Sequence, residues 1–382
     1  MNNDPIPNLN RYQVGALLVG LIAGVISLIG AIANRQQFFH SYLFAWLFWS
    51  GISFGALIVL MMQHLTGGVW GLALVRLADA AMGLLPWMAL LFVPILLGLG
   101  DIYPWTHGGT GDTGSYHHKQ HWFYLPFFIT RSVIYFSLLV GLTLLLRRWT
   151  LREPNPLEPG LRLRALSSGG LILYVLCMNL ASTDWVMSLT PEWYSTIFVI
   201  VFMAGHFLTA LALLTALLTW VSGTFPGANG LPTKVFSDLG NMLLAFVIFW
   251  TYVSFSQLLI IWSGNLPKEI AWYLPRSSGG WQWLAVALAI GEFALPFALL
   301  LSRPAKRSPK GLGTICLCIL IGGILNNYWL VAPSFHPQGF NLHWLDFALF
   351  VGLGGIWFAL FIRSVKQRAI VPPILMEVAQ HG

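Results

Sequence analysis

Charge is what this chain has least of. Only 9% of its 382 residues are Asp, Glu, Lys or Arg, against 57% hydrophobic, and a soluble domain carries roughly 25% charged residues. An ordinary soluble fold is excluded. Cysteine is scarce too, with Cys177, Cys316 and Cys318 all inside apolar runs. No two have metal-site spacing, and Cys-x-Cys on one helix points its thiols apart, so they read as small buried hydrophobes. The strict alternation of a membrane β-barrel is missing, and no loop is long enough to fold alone. A haem pair is missing too. His206 stands alone at the middle of a run while His40, His64 and His343 lie at run ends, and b-type ligation needs histidines paired at matched depth. Gly67-Gly68 lacks the lysine and strand of a phosphate loop and reads as a turn.

What fills the chain instead is ten apolar runs, near 13–33, 41–62, 80–99, 123–146, 166–188, 194–219, 236–262, 281–301, 312–332 and 343–363. Each can cross a bilayer, which takes roughly 20 residues. Backbone groups in lipid must bond within their own segment, so the runs are helices. The expected fold is an all-α polytopic membrane protein with ten transmembrane helices in one integral membrane domain, 1–382. Ala31-Ile32-Ala33 faintly resembles a signal-peptidase site, but the run before it is too long and its leader too weakly basic. It is kept as a helix.

The formal charge of +7 is explained by topology. Fifteen of the twenty basic residues fall on the side that holds both termini, four fall on the other, and Arg131 lies within a run. Positive residues in short loops stay cytoplasmic, so both termini are expected there. The charge implies lipid neighbours and no nucleic-acid partner. Spacing also suggests a repeat. Runs two and six start 153 residues apart and runs four and eight 158 apart, and the basic loops at 147–152 and 303–307 correspond. An even helix offset makes the repeat parallel. Two four-helix bundles are expected, 41–188 and 194–332, with 13–33 and 343–363 flanking them.

Polar side chains inside the runs are few, and each is a functional candidate because charge is costly in hydrocarbon. Asp184 sits about one turn inside its run, before the turn Thr190-Pro191-Glu192. Arg131 requires a partner, for which Asp184 on the neighbouring run is the candidate. His206 and Glu292 share a mid-membrane depth and are read as a proton relay through one water, or as polar groups that only tie helices together. Gln257, Asn326, Asn327 and Asp346 complete the set. Asp184, Arg131, His206, Glu292 and Asp346 are thus the proton-pathway candidates. His117 and His121 would share a face if helical; with Gln257 they are the candidates for a quinone headgroup, although that loop also suits a partner subunit and, less well, zinc.

Four segments resemble a known family. His64-Leu65-Thr66-Gly67-Gly68-Val69-Trp70-Gly71, Tyr124 to Arg131, Ser182 to Phe198, and Ile260 to Pro267 are similar to membrane subunits of the NrfD/polysulfide-reductase type, in particular the second quinone-binding membrane subunit of alternative complex III. Trp281-Gln282-Trp283 and Phe340 to Asp346 add to the likeness, which runs from about 40 to 362. The resemblance implies a membrane subunit of a respiratory quinol:electron-acceptor oxidoreductase in a bacterial inner membrane, scaffolding a quinone site and taking part in proton translocation. It implies no cofactor held by this chain beyond a quinone or menaquinone. Haem c and iron–sulfur clusters would belong to c-type cytochrome and iron–sulfur partner subunits, beside another NrfD-like membrane subunit. The family often reads Tyr-Leu-Asn before Pro-Phe-Phe; here Leu125 precedes Pro126 directly, and no role of that Asn carries over. Two rival readings stay open: a secondary transporter, which parallel repeats and buried charge also suit, and a structural anchor holding peripheral redox subunits.

Overall fold

The computed structural model describes residues 9–107, 122–153, 158–224 and 231–366. Among them are ten helices long and apolar enough to cross a membrane, and no strand. They are α1 Leu9–Ala33, α2 Arg35–Thr66, α3 Val69–Leu97, α4 Leu125–Thr150, α5 Leu161–Trp185, α6 Phe198–Thr224, α7 Thr233–Gly264, α8 Trp281–Leu301, α9 Pro309–Phe335 and α10 Trp344–Val365. An even number of crossings brings the chain back to the face it left. The histidine-rich loop joins α3 to α4 on the far face, and its residues 108–121, which include His117, His118 and His121, lie outside the described residues.

Proline decides where the helices break. It has no N–H for the carbonyl four residues back. Pro86 leaves the Met82 carbonyl without its bond, and the first segment of α3 ends at Met82. Pro94 does the same to Leu90, where the second segment ends. In α8, Pro296 removes the bond to the Glu292 carbonyl, and the helix widens into a π-segment, Ala289–Ala294, that contains Glu292. Two sequence boundaries are corrected. The third helix starts at Val69 rather than 80, because Arg76 and Asp79 interrupt the apolar run. Asp79 is buried and pairs with Arg147 Nε at 3.3 Å, so the charge does not exclude the segment from the bundle. Arg76 therefore belongs to α3, not to a loop. The sixth helix starts at Phe198, not 194, after a turn through Pro191.

Helices α2 and α6 form the interior and cross tightly. A Cβ on Gly55 would stand 2.1 Å from the His206 carbonyl oxygen, and one on Gly51 2.6 Å from the His206 ring. Around them α2 touches α3 and α5, α3 touches α4, and α4 touches α5. Likewise α6 touches α7 and α9, α7 touches α8, and α8 touches α9. Helices α1 and α10 pack together on small residues, where Gly20 lies directly against Gly355. Close backbone approach is how helices gain contact where lipid offers no hydrophobic driving force. The outer faces of α1 and α7 are apolar and exposed, for example Ile22, Ile29, Phe255 and Trp262.

Candidate functional site

Two of the acids identified from sequence are held in finished networks. Arg131 grips Asp184 with two hydrogen bonds of 2.8 Å, from Nε to Oδ2 and from Nη2 to Oδ1. Tyr135 donates to Oδ2 and the Trp122 indole to Oδ1, each at 3.0 Å. Arg131 also donates to the Trp122 carbonyl and lies over the Trp122 and Phe127 rings at 4.2 and 4.3 Å. Each carboxylate oxygen thus receives two donors in a fully buried, two-pronged arrangement, the strong form of an ion pair. Asp346 is similarly engaged. It caps α10 by accepting from the His343 backbone at 2.9 Å, and Ser41 and Tyr328 also donate to it. The Tyr103 hydroxyl, in the loop after α3, donates to the Trp185 carbonyl. Burial first, and the Asp184 charge second, raise its pKa.

His206 and Glu292 are the opposite case. Both ring nitrogens of His206 and both carboxyl oxygens of Glu292 are buried without a hydrogen-bond partner. No direct hydrogen bond joins the two. His206 packs against Gly51 and Gly55 of α2, whereas Glu292 packs against Gly322 of α9. A small cavity of about 20 Å³ touches His206, Thr209, Asn326 and Asn327, room for about one water. Glu292 does not line it.

A large concavity is invisible in the sequence. A cavity of about 970 Å³ lies between α7, α8 and α9, beside the start of α6, and is bordered on the far face by the 270–277 segment. Its walls are mostly apolar and aromatic, with Trp250, Phe255, Trp272, Tyr273, Phe293 and Trp329 among them. Its polar end collects Gln257, Tyr273 and Arg276. Of the three headgroup candidates Gln257 is here, while His117 and His121 fall outside the described residues.

This polar end is assembled by a proline. Pro333, inside α9, has no N–H for the Trp329 carbonyl. Arg276 takes that carbonyl through Nε at 3.3 Å, with Nη2 on the Leu330 carbonyl at 2.8 Å and Nη1 on the Trp272 carbonyl at 2.7 Å. Its guanidinium stacks on Trp272 at 3.6 Å. Burial lowers it to about 9, which leaves it cationic at neutral pH, and no carboxylate pairs with it among the described residues. Gln257 Nε2 donates to the Tyr273 oxygen at 3.0 Å, and Gln257 Oε1 accepts from Ser195 at 3.3 Å. Burial pushes Tyr273 up to about 12, so it keeps its proton.

Sequence alone passes over Arg276 because it counts as a loop cation. The signal lies in Pro333 and the tryptophans near it. No family model and no curated protein matches the chain.

Proposed function

We propose that this chain is an integral membrane subunit of a respiratory quinol:electron-acceptor oxidoreductase of the alternative complex III type, and that the cavity between α7 and α8 is its quinone or menaquinone site. The observation that carries the reading is the cavity itself. Its volume suits a ring with part of a prenyl tail, since small-molecule sites span about 300–1,000 Å³. Flat indole and phenol faces suit a planar ring, and Gln257, Tyr273 and Arg276 mark the end for its oxygens. A bound quinone supplies two-electron, two-proton redox chemistry. The chain's part is to hold the head at Tyr273 and keep water from the apolar walls.

The orientation proposed from charge, with both termini cytoplasmic, opens this cavity in the outer half of the membrane. Haem c and iron–sulfur centres are assigned to partner subunits, and another NrfD-like subunit to the lipid-facing surface. Within the chain, proton exchange is assigned to His206 and Glu292, which have no fixed partners, rather than to Asp184, Arg131 and Asp346, which do. A π-segment around Glu292 supports this, because such bulges cluster at functional sites. With no direct hydrogen bond between them, any proton passing from one to the other would need a bridging water.

The anchor reading also has an observation in its favour. The saturated Arg131–Asp184 network is what a purely structural bundle needs. The transporter reading is less well served, because the breaks in α3 and α8 fall in non-equivalent members of the two four-helix groups. Mild-detergent purification through a tag on this chain separates the three. Co-isolation of c-type haem, an iron–sulfur subunit and bound quinone supports the proposal. Co-isolation without quinone supports the anchor, and a monodisperse single chain refutes both.

A further inference from the structure

The polar end of the large cavity has a feature that its size alone does not reveal: each of its acceptors already holds a donor. The carbonyls of Trp272, Trp329 and Leu330 all receive Arg276. The Tyr273 oxygen receives Gln257 Nε2, and Gln257 Oε1 receives Ser195. What stays available is the Tyr273 proton and the field of an arginine that no carboxylate offsets among the described residues. Trp250 and Trp329, both lining residues, carry indole N–H groups with no acceptor. Ser254 and Asn326 can play either role, but they lie deeper. Ser254 is three residues before Gln257 and Asn326 four before Leu330, hence about 4.5 and 6 Å towards the membrane centre.

We propose that this site selects the oxidised quinone over the quinol, by offering donors and a positive field at Tyr273 and Arg276 to an oxygen that can only accept. The proposal rests on the quinone reading above and specifies the form bound. A quinone carbonyl accepts from Tyr273 and places partial negative charge near Arg276. A quinol brings hydroxyl protons to a place whose acceptors each already hold a donor, and a buried donor without an acceptor weakens binding by about tenfold or more. A phosphate head fits less well than either ring. Recognition of phosphate by arginine favours a free two-pronged fork, and here Nε, Nη1 and Nη2 are each engaged with carbonyls. The aromatic walls favour a flat ring for the same reason. The site is thus one of product retention or quinone exchange rather than of quinol capture.

The test is anaerobic binding to the full chain in its complex, in lipid nanodiscs. Decyl-quinone is followed by quenching of tryptophan fluorescence, with Trp250, Trp272 and Trp329 lining the cavity. Decyl-quinol and a short-chain phosphatidylglycerol serve as competitors. The expected result is that quinone binds at least about tenfold tighter than quinol. Tyr273→Phe should weaken quinone binding while leaving quinol binding nearly unchanged. Gln257→Glu, which adds an acceptor, should narrow the ratio from the quinol side. Equal or tighter quinol binding, still sensitive to Tyr273→Phe, overturns the selectivity and leaves the quinone site standing. Failure of both rings to bind, with phosphatidylglycerol retained, overturns the quinone site as well. Tyr273→Phe and Gln257→Glu change few atoms, and retention of the partner subunits verifies that each variant is folded.

Discussion

Replacing Asp184 by Asn separates a structural acid from a catalytic one, and the structure sets the size of the effect. The carboxylate accepts two hydrogen bonds from Arg131 and one each from Tyr135 and Trp122, and the pair is almost fully buried. Asn keeps the shape but removes the charge, leaving the Arg131 guanidinium buried and uncompensated. Removing one partner of a buried pair costs about 3–5 kcal/mol. Replacing Arg131 by Met in the same chain removes the stranded charge. The Asn oxygen still accepts from Trp122 or Tyr135, so about one neutral donor is orphaned, at about 1–3 kcal/mol. The double variant Arg131→Met/Asp184→Asn is therefore expected to be more stable than Asp184→Asn alone. Unfolding in mixed micelles can be followed by a thiol-reactive dye, because Cys177 and Cys316 are buried in the native state. Native-like stability of Asp184→Asn together with lost quinol turnover would refute the structural account and restore Asp184 as a proton acceptor.

Three further outcomes are expected. With Cys177, Cys316 and Cys318 replaced, Thr113→Cys should label only from outside the cell and Asn155→Cys only from within; the reverse pattern refutes the proposed orientation. Gly55→Ala should prevent stable folding, because its Cβ would stand 2.1 Å from the His206 carbonyl oxygen, whereas Gly141→Ala meets nothing within 4 Å and should be neutral or slightly stabilising by midpoint of unfolding. His336, beyond the end of α9, has its pKa lowered from 6.5 by burial, with Asp346 opposing. Its unfolded form thus binds the proton first, so its contribution to stability is full above about pH 6.5 and declines as pH falls below that value. His336→Asn should flatten the pH dependence of unfolding just below about pH 6.5, and an unchanged slope would exclude His336 as a source of it.

What the sequence disclosed follows from how each interaction is encoded. The ten helices are legible because lipid demands long apolar runs, and nine of them fall within a few residues of where those runs lie. The exception, α3, carries Arg76 and Asp79 in its first turns. It starts right after the Gly67-Gly68 turn, but what keeps Asp79 in the bundle is Arg147, 68 residues further on, which no window along the chain can see. The partnership of Arg131 with Asp184 is legible for a different reason. A buried cation needs an acid or carbonyls beside it, and among the acids Asp184 lay towards the same face on the adjacent helix.

The polar end of the cavity is not legible, and Arg276 shows why. As a sequence element it is one cation in a loop, the usual mark of a solvated turn. It becomes a buried charge only because Pro333, 57 residues later, frees the Trp329 carbonyl and Trp272 supplies a face to stack on. Each part has a local signature, yet the product depends on α9 and the 270–277 segment meeting. The same holds for Glu292. Its Pro296 four residues on is visible, and from it a defect at the Glu292 carbonyl can be foreseen. Which helix the defect faces cannot. Depth in the membrane is written in one dimension of the sequence, and rotation about each helix axis is set by packing. His206 and Glu292 share the first and differ in the second, one against α2 and the other against α9, so equal depth does not by itself make a relay.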